Sequence, residues 1–188
     1  MQKVDLIVKT NHLYTTEGDG VGYRKDTAMA IDRGKIIALV SLDEAEKGYN
    51  AEETLELYDY AVFPGLIDAH MHTADCIARG LAQDTNNWMM YGLQPFENAM
   101  TEASRQAGTK LGIIEAIRNG TTTIGDYHYG METVCDFLIK IGARGNITQM
   151  IREAKQRVYK VGELYEFDPN YGKETLRMNL ELFDRYHN

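Results

Sequence analysis

Cysteine is scarce in this sequence: Cys76 and Cys135 are the only two, far apart and outside any C-x-x-C pairing. That argues against a disulfide framework and points to a reducing compartment. Basic charge is short as well, with 20 lysines and arginines against 28 acidic residues and a formal net charge of -8. A protein that tracks nucleic-acid phosphates carries a basic patch, so nucleic acid is not the expected partner, and small polar or neutral molecules fit better. No apolar run reaches the roughly 18 to 20 residues of a bilayer span. The opening stretch MQKVDLIVKTNHLY has an apolar pulse broken by Asp5, not a signal-peptide core. The expectation is a soluble, cytoplasmic protein without a membrane partner. Internal repeats and low-complexity tracts are also missing. What remains is an ordinary globular balance, 44% hydrophobic and 26% charged over 188 residues, with room for one large domain or two small ones.

The texture changes near residue 60. Up to there the pattern reads as short strands at 4–9, 12–15, 27–32 and 35–40, with turn residues between them. Asp32-Arg33-Gly34 separates two β-prone runs, and Gly34 can take the positive φ of a tight hairpin. Beyond residue 60, strands alternate with helical periods, the signature of βαβ units and a parallel sheet. The stretch 61–69 reads as an apolar strand interrupted by Pro64-Gly65. A helix over 101–119 places Ala103, Ala107, Leu111, Ile114 and Ile117 on one face, and Gly120 ends it. A strand at 121–126 follows, then a helix at 131–141 with Val134, Leu138 and Ile141 inward and Gly142 as its stop. A strand at 143–151 and a helix at 173–186 carrying Leu176, Leu180 and Phe183 complete the reading. The fold class is α/β, with domains at 1–60 and 61–188.

The chemistry concentrates at Asp68-Ala69-His70-Met71-His72. Side chains two apart on a strand point to the same side, so His70 and His72 offer two imidazoles to one point if the strand runs through them. Zinc, or iron in its place, accepts neutral imidazole nitrogen at about 2.0 to 2.1 Å. Two histidines hydrogen-bonded in a core or loop are the other reading. The apolar strand and acidic residue leading into the pair favour ligation, because they put the imidazoles where a buried strand emerges at the catalytic face of an α/β barrel.

The run Phe63-Pro64-Gly65-Leu66-Ile67-Asp68-Ala69-His70-Met71-His72 resembles the first-strand signature of the amidohydrolase superfamily. Arg79-Gly80-Leu81-Ala82-Gln83-Asp84 with Trp88, Pro95-Phe96-Glu97, and Gly120-Thr121-Thr122-Thr123-Ile124-Gly125-Asp126 narrow the resemblance. They are similar to the cytosolic aminohydrolase branch, which holds S-adenosylhomocysteine and methylthioadenosine deaminases, guanine deaminases and triazine hydrolases. The resemblance implies a partial TIM-type (β/α) barrel preceded by part of a small β-sandwich. It implies one divalent metal, zinc or iron, held by His70 and His72, and a small heterocyclic substrate. Glu97 matches the glutamate that holds ribose hydroxyls, a task suited to a carboxylate because it accepts two hydrogen bonds from a vicinal diol; a solvated glutamate beside a helix start is the alternative. Trp88 corresponds to a pocket-wall or lid aromatic, or to packing. Gln149 stands where nucleoside deaminases carry a substrate-fixing arginine, with Arg152 three residues on, so both are candidate substrate contacts. Asp126 is an orienting group or, preferably, a helix N-cap. His128, between Tyr127 and Tyr129, reaches a pocket mouth or, preferably, belongs to a packed loop.

A complete barrel takes about 250 residues, and after the first section this chain has room for about three βα units. The resemblance puts the third metal histidine, the aspartate ligand, the HxxE glutamate and the proton-shuttling histidine on later strands. No catalytic residue is therefore expected within the chain, and it is expected to be inactive by itself. The leading expectation is the N-terminal portion of a deaminase, seen as a fragment or as one chain of a split enzyme. A second chain, the C-terminal half or a homo-oligomer would complete it. Hydrolysis of a cyclic amide or triazine substituent is a second possibility, and an inert half-domain that binds a partner is a third.

Overall fold

In the computed structural model of the protein, which describes residues 1–81, 83–154, 157 and 159–187, the chain divides after Pro64 into two units. The first is built on β1 (Gln2–Tyr14), unbroken where two short strands were expected. Thr10 holds the joint: its hydroxyl donates to the Tyr60 carbonyl at 2.9 Å and accepts from the His12 N–H at 3.1 Å. β2 (Tyr23–Asp32) runs antiparallel to β1 and returns as β3 (Lys35–Ser41) through Arg33 and Gly34. Both turn residues have positive φ, 49° and 73°, as a two-residue hairpin requires.

Ser41 then starts α1 (Leu42–Gly48) with a reciprocal cap. Its hydroxyl accepts from the Glu44 N–H, and the Glu44 carboxylate accepts from the Ser41 N–H at 3.0 Å. This helix, and the parallel strand β4 (Tyr49–Glu56) after it, lie beyond 35–40, the last strand expected in the first section. The sheet order is β3-β2-β1-β4, with β5 (Ala61–Val62) alongside the end of β1. Ala45 of α1 packs with Val4, Ile7 and Ala28, so this first unit is one mixed sheet with a helix on one face.

The second unit alternates strands and helices around a parallel sheet of order β6-β7-β8. β6 is Leu66–Met71, β7 Thr121–His128 and β8 Arg144–Gln149. The expected strand at 61–69 is two strands in different sheets. Pro64 cannot donate to a ladder, and Gly65 sits where a Cβ would lie 2.1 Å from the Thr122 side chain. A 3-10 helix (Thr73–Ala78) follows β6, and a wide turn (Met89–Leu93) leads into α2 (Gln94–Ala99).

α3 (Glu102–Arg118), capped by Thr101, joins β6 to β7, and α4 (Glu132–Ile141) joins β7 to β8. Gly120 and Gly142 end these helices at φ 91° and 71°, the left-handed stop that glycine permits. α5 (Pro169–Tyr186) begins earlier than the apolar period suggests, because Asp168 caps it and Pro169 occupies its first position.

Ile113, Ile124, Met131, Val134, Cys135, Leu138 and Leu182 form the core of this unit. Fully burying a side chain such as Val134 or Leu138 contributes about 1.5 to 3 kcal/mol. Three expected inward faces differ. α3 buries Gly108, Thr109, Gly112 and Ile113, while Leu111, Ile114 and Ile117 are exposed. The reason is backbone proximity: a Cβ on Gly108 would meet the Ala74 carbonyl oxygen at 2.2 Å, so glycine lets α3 close on the 3-10 helix. On α4, Val134 and Leu138 point inward but Ile141 does not. On α5, Thr175 and Leu182 are buried, whereas Leu176, Leu180 and Phe183 form an exposed stripe.

Among the described residues no helix is long and apolar enough to cross a membrane. Both cysteines are free thiols. Burial pushes the Cys135 thiol up to about 11, which leaves about one part in 10³ as thiolate at pH 8. Iodoacetamide at pH 8 is therefore expected to label Cys135 about 100-fold more slowly in the native chain than in urea. Peptide mass spectrometry checks this, and equal rates would show the α4 core face to be open.

Candidate metal and substrate site

The ends of the parallel strands bring the polar residues of this unit together. β6 carries His70, and His72 lies one residue past its end. Their ring centroids are 5.1 Å apart, and the Tyr127 ring lies against both, at 5.2 and 4.9 Å. The two imidazoles thus share one side of the sheet end.

His72 is also oriented. Its Nδ1 is 3.0 Å from the Tyr127 carbonyl oxygen, which can only accept, so the ring proton sits on Nδ1 and the Nε2 lone pair is left for a ligand. Two such imidazoles suit zinc or iron, and the pair fits the metal expected from the sequence.

Asp126 is not a helix cap. α4 starts after Met131 without any side-chain cap, because β7 continues past Asp126 to His128. Asp126 is instead buried, with one carboxylate oxygen accepting from the Thr73 N–H at 3.2 Å and the Thr73 hydroxyl at 2.6 Å. It pins the chain directly after His72. Its other oxygen is buried without a hydrogen-bond partner among the described residues.

A cavity of about 1020 Å³ opens beside His72. Glu97, Trp88 and Arg152 line it, as does Asp75. Trp88 stands half-exposed at the start of the wide turn. Arg152 donates from Nη1 to the Tyr129 hydroxyl at 2.8 Å, and burial is the main cause that pushes the Tyr129 phenol up. Gln149, expected as a substrate contact, is placed elsewhere: it is 1% exposed, and its side-chain oxygen accepts from the Met131 N–H at 3.3 Å. Its backbone N–H donates to Asn179 Oδ1 at 2.9 Å. These two bonds tie it to the start of α4 and to α5, while its side-chain Nε2 is buried without a hydrogen-bond partner among the described residues.

His128, read from sequence as part of a packed loop, lies at the end of β7 and lines the same cavity. It is 4% exposed. Its Nε2 faces Glu97 Oε1 at 3.6 Å and Asp75 Oδ2 at 4.0 Å, and its Nδ1 is 3.2 Å from Arg105 Nη1. The facing His128 imidazole is the first cause that holds the Glu97 carboxyl below the usual carboxylate range, whereas burial pushes that of Asp75 up. One oxygen of Asp75 is buried without a hydrogen-bond partner among the described residues. Asp75, Glu97 and His128 bring three metal-type donor atoms within 4.8 Å of one another. Arg105 changes what that group can do. A guanidinium only donates, so Nδ1 accepts and Nε2 carries the proton toward the carboxylates. In this state His128 is a donor, not a ligand.

In the Arg79–Asp84 motif, Arg79 pairs with Glu115 of α3, which makes it a surface tie. Ala82 of that motif lies outside the described residues.

Residues 61–181 match the amidohydrolase family model. A 5-methylthioadenosine/S-adenosylhomocysteine deaminase of Lawsonia intracellularis is 36% identical over 145 residues, covering 76% of this chain and 33% of that protein. The enzyme of the same name from Syntrophobacter fumaroxidans is 30% identical over 189 residues, covering 98% of this chain and 40% of its own length. Among solved structures, that of an adenosine deaminase from Xanthomonas campestris with bound zinc superposes with a TM-score of 0.85 at 23% identity. It covers 100% of this chain and 41% of that one, a likeness of mixed α/β fold. The chain spans between 24% and 40% of the length of such curated relatives.

Proposed function

We propose a function on one premise: the chain belongs to the amidohydrolase family. The complete protein is then a divalent-metal-dependent aminohydrolase that releases ammonia from a purine nucleoside or a related heterocycle, and this chain supplies its N-terminal strands. β6, β7 and β8 are read as the first three strands of a TIM-type barrel. The observation that carries the reading is the pair of imidazoles at the end of β6, set beside a cavity that Glu97 lines.

His70 and His72 would hold a zinc-type ion, and the chemistry such an ion would supply is Lewis acidity toward water near neutral pH. Three protein ligands are usual in catalytic zinc sites, so the other donors and the acid-base groups are assigned outside these 188 residues. Within the chain, Tyr127 fixes the His72 tautomer and Asp126 pins the following turn. Glu97 accepts the substrate hydroxyls, and Trp88 and Arg152 wall the cavity that His72 also lines. Two free thiols support a reducing, cytoplasmic setting.

A second reading, an inert half that docks a partner, is supported by one observation. β6 and β8 are the outer strands of a three-stranded parallel sheet, a type ordinarily covered or closed, and Leu180 and Phe183 are exposed on α5. In the enzyme reading the remaining barrel meets that need.

The test is ammonia release from adenosine by the zinc-loaded protein carrying this chain and its complement. Release is expected, and Glu97→Gln should raise KM for adenosine about 10- to 100-fold, the size of a hydrogen bond to a charged group. No ammonia from purine nucleosides or free bases would remove the deaminase assignment.

A further inference from the structure

We propose that Arg105 and His128 are positioning residues for Glu97, forming a relay that aims its carboxylate at the substrate hydroxyls. The inference rests on the reading of Glu97 as the diol acceptor and adds how that carboxylate is held. Three elements contribute: Arg105 comes from the first turn of α3, His128 from the end of β7, and Glu97 from α2.

Direction follows from donor chemistry. Arg105 Nη1 lies 3.2 Å from His128 Nδ1, and guanidinium has no acceptor, so the imidazole proton is driven to Nε2. There Nε2 faces Glu97 Oε1 at 3.6 Å and Asp75 Oδ2 at 4.0 Å. The opposite tautomer would turn a lone pair toward two carboxylates and an N–H toward a cation.

Burial makes the arrangement specific. His128 is enclosed beside Ile124 and Asp126 on the inward face of β7, so its ring cannot swing out to solvent to exchange partners. The facing His128 imidazole also holds the Glu97 carboxyl low, which favours its ionised, accepting form. Glu97 occupies a short helix, and a fixed donor behind one of its oxygens leaves the carboxylate plane defined before substrate arrives. That lowers the ordering cost of binding.

Two measurements test this. In the chain labelled with ¹⁵N-histidine, long-range ¹H–¹⁵N spectra should show His128 as the Nε2–H tautomer, and Arg105→Met should mix the tautomers. A predominant Nδ1–H form in the unsubstituted chain would overturn the relay. In the complete protein, dissociation constants for adenosine and 2′,3′-dideoxyadenosine give a discrimination ratio. Glu97→Gln is expected to lower it at least about tenfold, His128→Asn to lower it equally, and the double variant to add nothing further. His128→Gln carries an amide N–H near the Nε2 position and should restore most of the ratio. A fold-wide loss would strike both His128 variants alike. If Glu97→Gln lowers the ratio and His128→Asn does not, the positioning role is wrong while the Glu97 reading stands. If Glu97→Gln leaves the ratio unchanged, the Glu97 reading itself falls, and with it the relay's purpose.

Discussion

Zinc titrated into this chain is expected to bind weakly through His70 and His72, and replacing either with alanine should lower the affinity at least about tenfold. The ring pair is 5.1 Å apart between centroids, and the Tyr127 carbonyl takes the Nδ1 proton of His72. That hydrogen bond leaves the Nε2 lone pair for an ion, and loss of such an outer partner typically costs 10- to 100-fold in affinity. Loss of a direct ligand should cost no less. Binding by the parent stays weak because two imidazoles leave a tetrahedral ion half solvated. Glu97→Gln supplies the control: the nearby Asp75, Glu97 and His128 group has its Nε2 already protonated, so this substitution should leave zinc affinity within about twofold. Isothermal titration with the single variants and the His70→Ala/His72→Ala pair decides the matter. Unchanged affinity in the pair would place the ion elsewhere and remove the first-strand assignment.

Parts of this site are legible in the sequence for physical reasons, and parts are not. The i, i+2 spacing of His70 and His72 survives because the strand runs to Met71, and the helix stops at Gly120 and Gly142 are local backbone choices that no tertiary contact overrides. His128 is hidden because the tyrosines on either side look like a loop. Strand alternation gives it away: Ile124, Asp126 and His128 are spaced two apart, and all three are buried. The same alternation rules out a capping role for Asp126.

The packing face of α3 was harder to read. Apolar periodicity selects Leu111, Ile114 and Ile117, whereas the buried face is chosen by Gly108 and Gly112, whose missing side chains admit a neighbouring backbone. A hydrophobic count gives glycine no weight. Conversely, the Ser41 and Glu44 pair that starts α1 is a complete local signal set within strand-like surroundings. Gln149 depends on where α4 and α5 converge, and only the tertiary fold supplies that.

Gly125→Ala should be a damaging single-methyl change directly beside the metal pair. Gly125 stands on β7 against β6, where a Cβ would lie 2.6 Å from the Ala69 carbonyl oxygen and 2.8 Å from its carbon. Both are main-chain atoms of the residue before His70, so no flexible side chain can yield. The strands must separate locally, which costs about 1 to 3 kcal/mol for overpacking, or more, and carries His70 away from His72. Urea unfolding and zinc titration of the same variant should therefore fail together, with affinity falling about tenfold. Gly120→Ala separates this clash from ordinary backbone strain. Its φ of 91° is unfavourable for alanine, yet a Cβ there meets nothing within 4 Å. It should lose about 1 to 2 kcal/mol of stability and keep its zinc affinity. A Gly125→Ala protein that binds zinc as tightly as its parent would mean that the β6–β7 contact does not set the position of His70, and the link from the glycine of the second strand to the metal pair would be broken.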